Sequence, residues 1–215
     1  MVEINFINHS CFKIKGKEVS LIVDPYDPEQ TGYKMPKLDC DILLTTHEHF
    51  DHNYKDAISG YKLLIDGAGE YEVGGVFIQG IEVFHDNENG AKRGKSTLYV
   101  IEIDDFTIMH CGDLGHELSK ETLEHIPDID VLLIPVGGTY TIDAEAAAKI
   151  ISSIEPGFVV PMHYQTSEVT KLSKDLAKLD KFLDEMGVDV GMKKQNTLKL
   201  SNRSDIPEET EVVIL

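Results

Sequence analysis

Basic residues are scarce in this sequence. The 215-residue chain has 20 Lys and Arg against 38 Asp and Glu, which gives a formal net charge of −18. Binding to nucleic acids and to anionic membranes depends on a basic surface that releases counterions. We therefore expect neither a nucleic acid nor a membrane as a general partner, although one local basic patch would be compatible with this composition.

Cysteines are also few. The three in the chain, Cys11, Cys40 and Cys111, are widely spaced and form no CxxC pair. An odd, scattered set excludes a disulfide framework and is typical of the reducing cytoplasm. None of the three stands in a pattern that indicates a nucleophile.

Long apolar runs are missing as well. No run approaches the roughly 20 apolar residues that span a bilayer. Residues 1–7 alternate polar and apolar side chains like a strand, so we expect no export signal and a cytoplasmic location. Without a linker, a repeat or a low-complexity tract, and with 41% hydrophobic residues, the chain is expected to form a single domain over residues 1–215. The sequence is compatible with a homo-oligomer.

The most informative stretch is residues 45–53, Thr-Thr-His-Glu-His-Phe-Asp-His-Asn. It places His47, His49, Asp51 and His52 in a His-x-His-x-Asp-His pattern, which arises by chance on the order of once in a thousand such sequences. Residues 41–44 predict a short buried strand before it, so these side chains would lie just past a strand end. Imidazole nitrogens and a carboxylate suit Zn²⁺ or a comparable divalent ion.

Side chains that alternate in direction along this loop would point toward two different sites. His47 and His49 would point one way and Asp51 and His52 another, so that one loop could begin two metal sites. The alternative is a polar surface turn with solvated histidines. We disfavour it, because three imidazoles and a carboxylate held so close need a shared partner once they are partly buried.

Further polar residues follow other predicted strands: Asp24 after 19–23, His85 after 76–84, Asp113 after 106–110 and His163 after 158–161. Taken alone, His85 could be an ordinary loop residue and Asp113 an ordinary turn residue, but their shared position at strand ends indicates one site with the 45–53 loop. Asp24 either holds the second N–H of a ligand imidazole or initiates a turn. His110 and His116, on either side of Asp113, are structural residues or substrate contacts.

The pattern of predicted elements changes along the chain. The first half reads as strands, at residues 2–7, 10–14, 19–23, 62–65, 76–84, 97–103 and 106–110. The second half alternates helices 117–125, 143–154 and 173–185 with strands 130–134, 158–161, 197–200 and 211–215. The turn before helix 143–154 could hold an anion on its free amide groups, and capping by Thr141 or Asp143 is an equal alternative.

The ordered motifs resemble those of a known superfamily. The loop 47–52, then His85, then Gly112-Asp113, then Pro161-Met162-His163 resemble the ligand motifs of the metallo-β-lactamase superfamily. A finer resemblance, to small Zn-dependent hydrolases related to L-ascorbate-6-phosphate lactonase, rests on four short segments: Asn8-His9-Ser10, Asp24-Pro25, His110-Cys111-Gly112-Asp113-Leu114-Gly115 and Pro161-Met162-His163-Tyr164.

This resemblance implies a mixed α/β (α+β) fold, a four-layer αββα sandwich with two divalent metal ions at the rim between the sheets. Zn²⁺ is the expected metal ion, with Mn or Fe as alternatives. One metal would be held by His47, His49 and His85, the second by Asp51, His52 and His163, with Asp113 as the bridge. His9, Asp24 and His110 would lie behind these ligands. An Asp at the bridging position, where true β-lactamases can have a Cys, favours a two-metal hydrolase over antibiotic hydrolysis.

The implied activity is hydrolysis of a small ester, lactone or phosphoester. Two ions roughly 3.5–4 Å apart lower the pKa of a shared water from about 15.7 to about 7, which gives a hydroxide nucleophile at neutral pH. Asp51 could orient this nucleophile, and His116 or Tyr164 could assist the leaving group. The alternatives are a metal-binding protein of the same fold without turnover, regulatory or redox, and a nucleic-acid phosphodiesterase, which the acidic charge disfavours.

One basic cluster stands out against the acidic composition. Lys92, Arg93 and Lys95 are concentrated in the loop after His85. If this loop borders the metals, its positive charge could attract an anionic group of a small-molecule substrate, such as a sugar phosphate. The alternative is a solvated basic loop.

Overall fold

The structure, a computed structural model, describes residues 1–166, 168, 170, 172–191 and 193–215. The strands are β1 Val2–Asn8, β2 Cys11–Lys15, β3 Ser20–Val23, β4 Leu38–Asp39, β5 Ile42–Leu44, β6 Ile58–Ser59, β7 Leu63–Ile65, β8 Gly69–Val73, β9 Val76–Phe84, β10 Lys95–Ile103, β11 Phe106–His110, β12 Val131–Pro135, β13 Phe158–Met162, β14 Leu198–Leu200 and β15 Glu211–Val212. The helices are α1 Pro28–Thr31, α2 Lys120–Glu124, α3 Ala144–Ile154 and α4 Leu179–Glu185. Among these described helices, none has the length and apolar character needed to cross a membrane.

Two large sheets combine antiparallel and parallel strands. The first has the order β14-β1-β2-β3-β5-β7 and the second β15-β13-β12-β11-β10-β9-β8, while β4 and β6 pair separately. Strands β3, β5 and β7 run parallel, as do β11, β12, β13 and β15. The carboxyl ends of parallel neighbours meet at one edge of a sheet, so the segments after β3 and β5, and those after β11 and β13, are brought together.

The main hydrophobic core lies between the two sheets. Along β3, Leu21 and Val23 enter this core while Ile22 points to the opposite face, as the two-residue period of a strand requires. Helix α3 packs on the main core through Ala144, Ala147, Ile150 and Ile151. The helix begins at Asp143, whose side chain accepts the Ala146 N–H at 3.0 Å. The structure therefore shows capping by Asp143 at the turn before this helix, where anion binding was the alternative.

A smaller core covers the outer face of the first sheet. Ile22 and Leu43 pack there against Tyr26, Tyr33 and Ile58. The cover is built from the four-residue helix α1, the β4–β6 pair and a 3₁₀ turn at Lys55–Ala57. On this side the outer helical layer of the αββα sandwich is therefore thin.

Two predicted helices are shorter than expected. The helix predicted at 117–125 begins only after Ser119, whose Oγ caps the Thr122 N–H, and it forms α2. The helix predicted at 173–185 is split into a 3₁₀ turn at Ser173–Asp175 and α4. Between them, Leu176 and Lys178 are extended. The Ala177 N–H donates to Gly137 O at 2.8 Å, and the Ala177 carbonyl accepts the Gln165 N–H at 2.9 Å. Those tertiary hydrogen bonds outcompete the local helical pattern.

Candidate metal centre

The 45–53 loop leaves β5 at the edge where the two sheets face each other. Its first residue, Thr45, donates its N–H to Ile65 O at 3.0 Å in the first sheet. The next carbonyl, Thr46 O, accepts the Thr97 N–H of the second sheet at 2.9 Å. The loop is therefore fixed to both sheets before its first histidine, and the polar side chains that follow are held between them.

Three imidazoles form the first group of candidate ligands. One nitrogen each of His47, His49 and His85 lies within 4.8 Å of the others. His47 Nε2 and His49 Nδ1 are 2.9 Å apart, and His85 reaches them from the end of β9 in the second sheet. Three convergent imidazole nitrogens are a donor set that Zn²⁺ and similar ions accept.

A second group lies beside the first. Ligand atoms of Asp51, His52 and His163 lie within 4.8 Å of one another and of His9. His9 Nε2 is 3.2 Å from Asp51 Oδ2, and the His9 carbonyl accepts the His163 N–H at 2.8 Å. His9 therefore contacts two members of this group, one with its ring and one with its backbone.

The Asp113 carboxylate stands between the two groups. Its Oδ2 is 3.2 Å from His85 Nε2 and 3.4 Å from His163 Nε2, and its Oδ1 is 3.2 Å from His52 Nε2. The side chain is almost fully buried. One carboxylate thus touches imidazoles of both groups, which is the position of a bridging ligand.

Two glycines allow the ligand-bearing segments to approach each other. A Cβ on Gly115 would lie 2.2 Å from Asp86 N, so the turn that carries Asp113 packs directly on the backbone after His85. A Cβ on Gly137 would lie 2.0 Å from the carbonyl oxygen of His163. Real Cβ atoms do not approach backbone this closely, and both positions therefore require glycine.

A single buried carboxylate, Asp24, orients one imidazole in each group. Its oxygens accept the Thr46 N–H and the Thr46 hydroxyl, each at 2.8 Å, and His52 Nδ1 at 2.7 Å. Because the Thr46 hydroxyl donates to Asp24, its oxygen accepts from His47 Nδ1 at 3.0 Å. Both His47 and His52 then carry their proton on Nδ1 and turn the Nε2 lone pair toward the centre.

The residues fit a bound cation. With its Nδ1 proton donated to Asp24, His52 turns its Nε2 to within 3.2 Å of Asp113 Oδ1. Within the described part of the chain, neither atom has a hydrogen-bond partner of acceptable angle, although both are buried. Two lone pairs facing each other in a buried site repel unless a proton or a cation lies between them. The donor set, imidazole nitrogen and carboxylate oxygen, suits a first-row divalent metal.

The protonation states of the ligands follow from burial and from the carboxylates. Burial lowers the pKa of His47 to about 3 and that of His9 to about 4, so both are neutral near pH 7. Although burial alone lowers the pKa of His52, the carboxylates of Asp113 and Asp24 raise it well above its ordinary value. Burial raises the pKa of Asp113, but His163 and His52 together bring it well below its ordinary value. A metal would therefore have to displace a proton from His52.

His110 lies behind the centre, where it ties two segments together. Its Nε2 donates to Ser10 O at 2.9 Å, and its Nδ1 accepts the Gly112 N–H at 3.0 Å. The start of β2 and the turn before Asp113 are thereby linked through one buried ring. His110 and Asp24 both stand where a supporting role was expected, and Thr46 joins them although no pattern in the sequence had indicated it.

Two residues expected to assist a leaving group do not lie in the site. Both ring nitrogens of His116 are bonded to backbone, since Nε2 accepts the Phe84 N–H at 3.1 Å and Nδ1 donates to Glu117 O at 2.7 Å. Tyr164 is buried against Phe6, with 6.4 Å between ring centroids, and lines a different cleft. The structure brings neither His116 nor Tyr164 to the cleft over the candidate ligands, because each is engaged in local contacts.

A cleft of about 420 Å³ opens over the centre. It is lined by Gln30, His49, Phe50, Asp51, His85, Arg93, Asp113, Tyr140 and Leu172. Of the basic cluster, Arg93 lines this cleft, whereas Lys92 pairs with Glu88 and Lys95 with Glu82. Lys92 does not line this cleft, and its part in the anion hypothesis stays a prediction. No sequence signal had indicated Tyr140 or Leu172, which lie far along the chain from the 45–53 loop.

The sequence and the structure are both similar to known proteins. Residues 3–163 match the family model described as Beta-lactamase superfamily domain. A UPF0173 metal-dependent hydrolase from Pyrococcus horikoshii is 32% identical over 195 residues, covering 77% of this chain and 86% of the relative. Another from Thermoplasma volcanium is 32% identical over 199 residues, covering 79% and 86%.

A solved structure extends the match to the whole chain. A metallo-β-lactamase superfamily protein from Thermotoga maritima superposes with a TM-score of 0.78 at 32% identity, over 100% of this chain and 98% of that one. The predicted fold class is confirmed by this match and by the family model.

Proposed function

Since this chain belongs to the metallo-β-lactamase superfamily and is a metal-dependent hydrolase of that superfamily, we propose that it uses two divalent metal ions to hydrolyse a small ester, lactone or phosphoester. The observation that carries this proposal is the position of Asp113 between two groups of ligands. A single-metal site would need only one of these groups.

The two groups divide the ligands between the metals. His47, His49 and His85 would hold one ion, and Asp51, His52 and His163 the other, with Asp113 shared. Zn²⁺ is the first choice because imidazole and carboxylate ligands suit it and because the Thermotoga maritima relative has been suggested to be Zn-dependent. Mn and Fe accept the same ligands.

Bound divalent ions supply Lewis acidity, which polarises a substrate oxygen and acidifies water. The protein supplies orientation. Asp24 sets the tautomers of His47 and His52, and His9 holds one oxygen of Asp51. The Asp51 carboxylate lines the cleft, where it would orient an attacking water and accept its proton.

The substrate is small because the cleft is small. A volume of about 420 Å³ accommodates a molecule of drug or metabolite size. The resemblance to L-ascorbate-6-phosphate lactonase supports a lactone or ester within this class. Two segments that carry the resemblance support the site directly, since His9 contacts Asp51 and His110 anchors the turn before Asp113.

The test combines metal analysis with a screen of substrates. Protein purified without chelators is analysed for metal by mass spectrometry and assayed with 4-nitrophenyl acetate, γ-butyrolactone and bis(4-nitrophenyl) phosphate. We expect two metal equivalents, turnover of at least one substrate, loss of turnover with EDTA and its return with Zn²⁺, Mn²⁺ or Fe²⁺. A single equivalent at saturation would contradict the dinuclear centre. Two equivalents without turnover would favour a metal-binding protein of the same fold.

A further inference from the structure

We propose that Arg93 binds an anionic group of the substrate, a carboxylate or a phosphate, and so determines which esters or lactones the cleft accepts. This proposal rests on the proposed function, because it concerns the same cleft. It would assign a specificity residue that lies outside the metal ligands and comes from the loop after His85.

The loop that carries Arg93 is held by one buried carboxylate. Asp86 accepts the backbone N–H groups of Glu88, Gly90, Lys92 and Arg93, at distances of 2.8, 2.9, 2.9 and 2.8 Å. Asp86 directly follows His85, and His85 N donates to Gly94 O at 3.0 Å to close the loop. The backbone of Arg93 is therefore fixed relative to a candidate metal ligand.

The side chain of Arg93 is also held in place. Its Nη2 donates to Thr139 O at 3.2 Å, and its guanidinium lies over the Tyr140 ring, 5.5 Å from the centroid. A stacked guanidinium with one N–H engaged has lost much of its rotamer freedom, yet it keeps further donors for a ligand. Binding an anion there would cost less conformational entropy than binding one to a free lysine.

Arg93 differs from its two basic neighbours in its ion pairing. Lys92 and Lys95 are neutralised by Glu88 and Glu82, with the second pair at 2.7 Å. Among the ion pairs of the described residues, Arg93 takes part in none. In a chain of net charge −18, an arginine that faces a cleft without a carboxylate partner is available for an anion in a bidentate arrangement.

The other residues around the opening of the cleft indicate what kind of molecule carries the anionic group. Phe50 is 42% exposed, and with Tyr140 and Leu172 it gives the cleft an apolar rim. An apolar wall beside one fixed cation matches a ligand with an apolar or planar body and a terminal oxyanion.

The test compares two esters with the same scissile bond. Neutral 4-nitrophenyl butyrate and the anionic mono-4-nitrophenyl succinate are assayed with metal-loaded wild type, R93Q, R93K and K92Q. We expect R93Q to raise KM for the succinate ester roughly tenfold relative to the butyrate ester, with partial recovery in R93K. K92Q is the matched control, because Lys92 is adjacent but paired with Glu88, and its KM ratio should equal that of wild type.

A binding measurement separates this proposal from the proposed function. Phenylphosphonate, which is not hydrolysed, is titrated calorimetrically into metal-loaded wild type and R93Q. We expect about tenfold weaker binding to R93Q. Equal affinities, or equal KM ratios for wild type and R93Q, would overturn the role of Arg93 and leave the hydrolase proposal intact. Arg93-dependent binding in a protein that turns over neither these esters nor the lactone and phosphodiester named above would instead leave the anion site and contradict hydrolysis.

Discussion

The floor and the rim of the cleft are built in different ways. The floor consists of the seven candidate ligands, His47, His49, Asp51, His52, His85, Asp113 and His163. All of them except His49 are buried. The rim consists of Gln30, Phe50, Arg93, Tyr140 and Leu172, which are at least partly exposed.

The difference shows which part of the site can change. Floor side chains stand at strand ends and are tied to Asp24, to Asp113 or to backbone that only glycine allows, so a change at one position disturbs several others. Among the described residues, the rim side chains donate no hydrogen bond to a candidate ligand, even where they share a loop with one, as Phe50 does. We infer that the floor determines the chemistry and that the rim determines the substrate.

The strongest way to break this distinction is Asp113→Ala. The substitution removes the carboxylate that touches His52, His85 and His163. We expect metal content to fall below two equivalents and metal-dependent turnover to disappear, because the ligand that the two ions would share is lost. Metal is measured by mass spectrometry after gel filtration, with circular dichroism to verify folding. A folded, fully active Asp113→Ala protein without metal would refute the assignment of the floor.

Gly137→Ala should have the next largest effect, and we expect that effect mainly on the stability of the fold. The added Cβ would lie 2.0 Å from His163 O, and backbone cannot yield as a flexible side chain does. We expect a loss of about 3 kcal/mol in the free energy of unfolding by urea, together with weaker metal binding. Gly67→Ala is the matched control, because a Cβ there meets nothing within 4 Å. Equal stability of the two variants would show that the floor is not fixed through Gly137.

The sequence revealed the floor better than the rim for physical reasons. Metal ligands must be His, Asp or similar residues at strand ends, so His85, Asp113 and His163 could be singled out before any coordinates. Gly137 could not, because its importance lies in a contact with a residue far along the chain. The prediction of one continuous helix over 173–185 failed for the same reason, since the backbone of Ala177 is hydrogen-bonded to Gly137 and Gln165.

Asp24→Asn tests whether orientation of the floor matters as well as its ligands. An amide in place of one carboxylate oxygen would oppose the protons of Thr46 and His52, which now donate to it. We expect metal affinity to fall by about 10–100-fold, measured by competition with a chromogenic chelator. Asp41→Asn is the matched control, because Asp41 caps Ser20 at the opposite end of the same strands. A drop of the same size in both variants would argue for a general loss of stability instead.

The pH dependence of the metal-free protein tests the burial of the floor. Burial lowers the pKa of His47 to about 3 and of His9 to about 4, whereas unfolded histidine has a pKa near 6.5. As pH falls below about 6.5, the unfolded chain takes up protons that the fold refuses, so each residue lowers stability by about 1.4 kcal/mol per pH unit. His52, whose pKa is raised in the fold, acts in the opposite direction between pH 7 and about 6 and adds little slope below that, where the unfolded chain is protonated as well.

Urea unfolding in EDTA at pH 7, 6 and 5 measures this slope. His9→Gln should reduce this slope by about the contribution of one histidine. His125→Gln, at the exposed C-terminal end of α2, should leave the slope unchanged. A slope that is flat in wild type would mean that the imidazoles of the floor are open to water.

Phe50→Ala should have the smallest effect and mark the rim as separate. Phe50 lies within the ligand loop, between His49 and Asp51, yet its side chain is 42% exposed. Its removal takes away apolar area that is only partly buried and leaves no closed cavity, so we expect the free energy of unfolding to fall by about 1 kcal/mol and the metal content to stay at the wild-type value. KM for an aromatic ester should rise a few-fold, because the ring lines the cleft. Phe50 shares one loop with its neighbours His49 and Asp51. A loss of metal in this variant would therefore show that floor and rim are a single unit. It would contradict the inference that substrate preference can change independently of the metals.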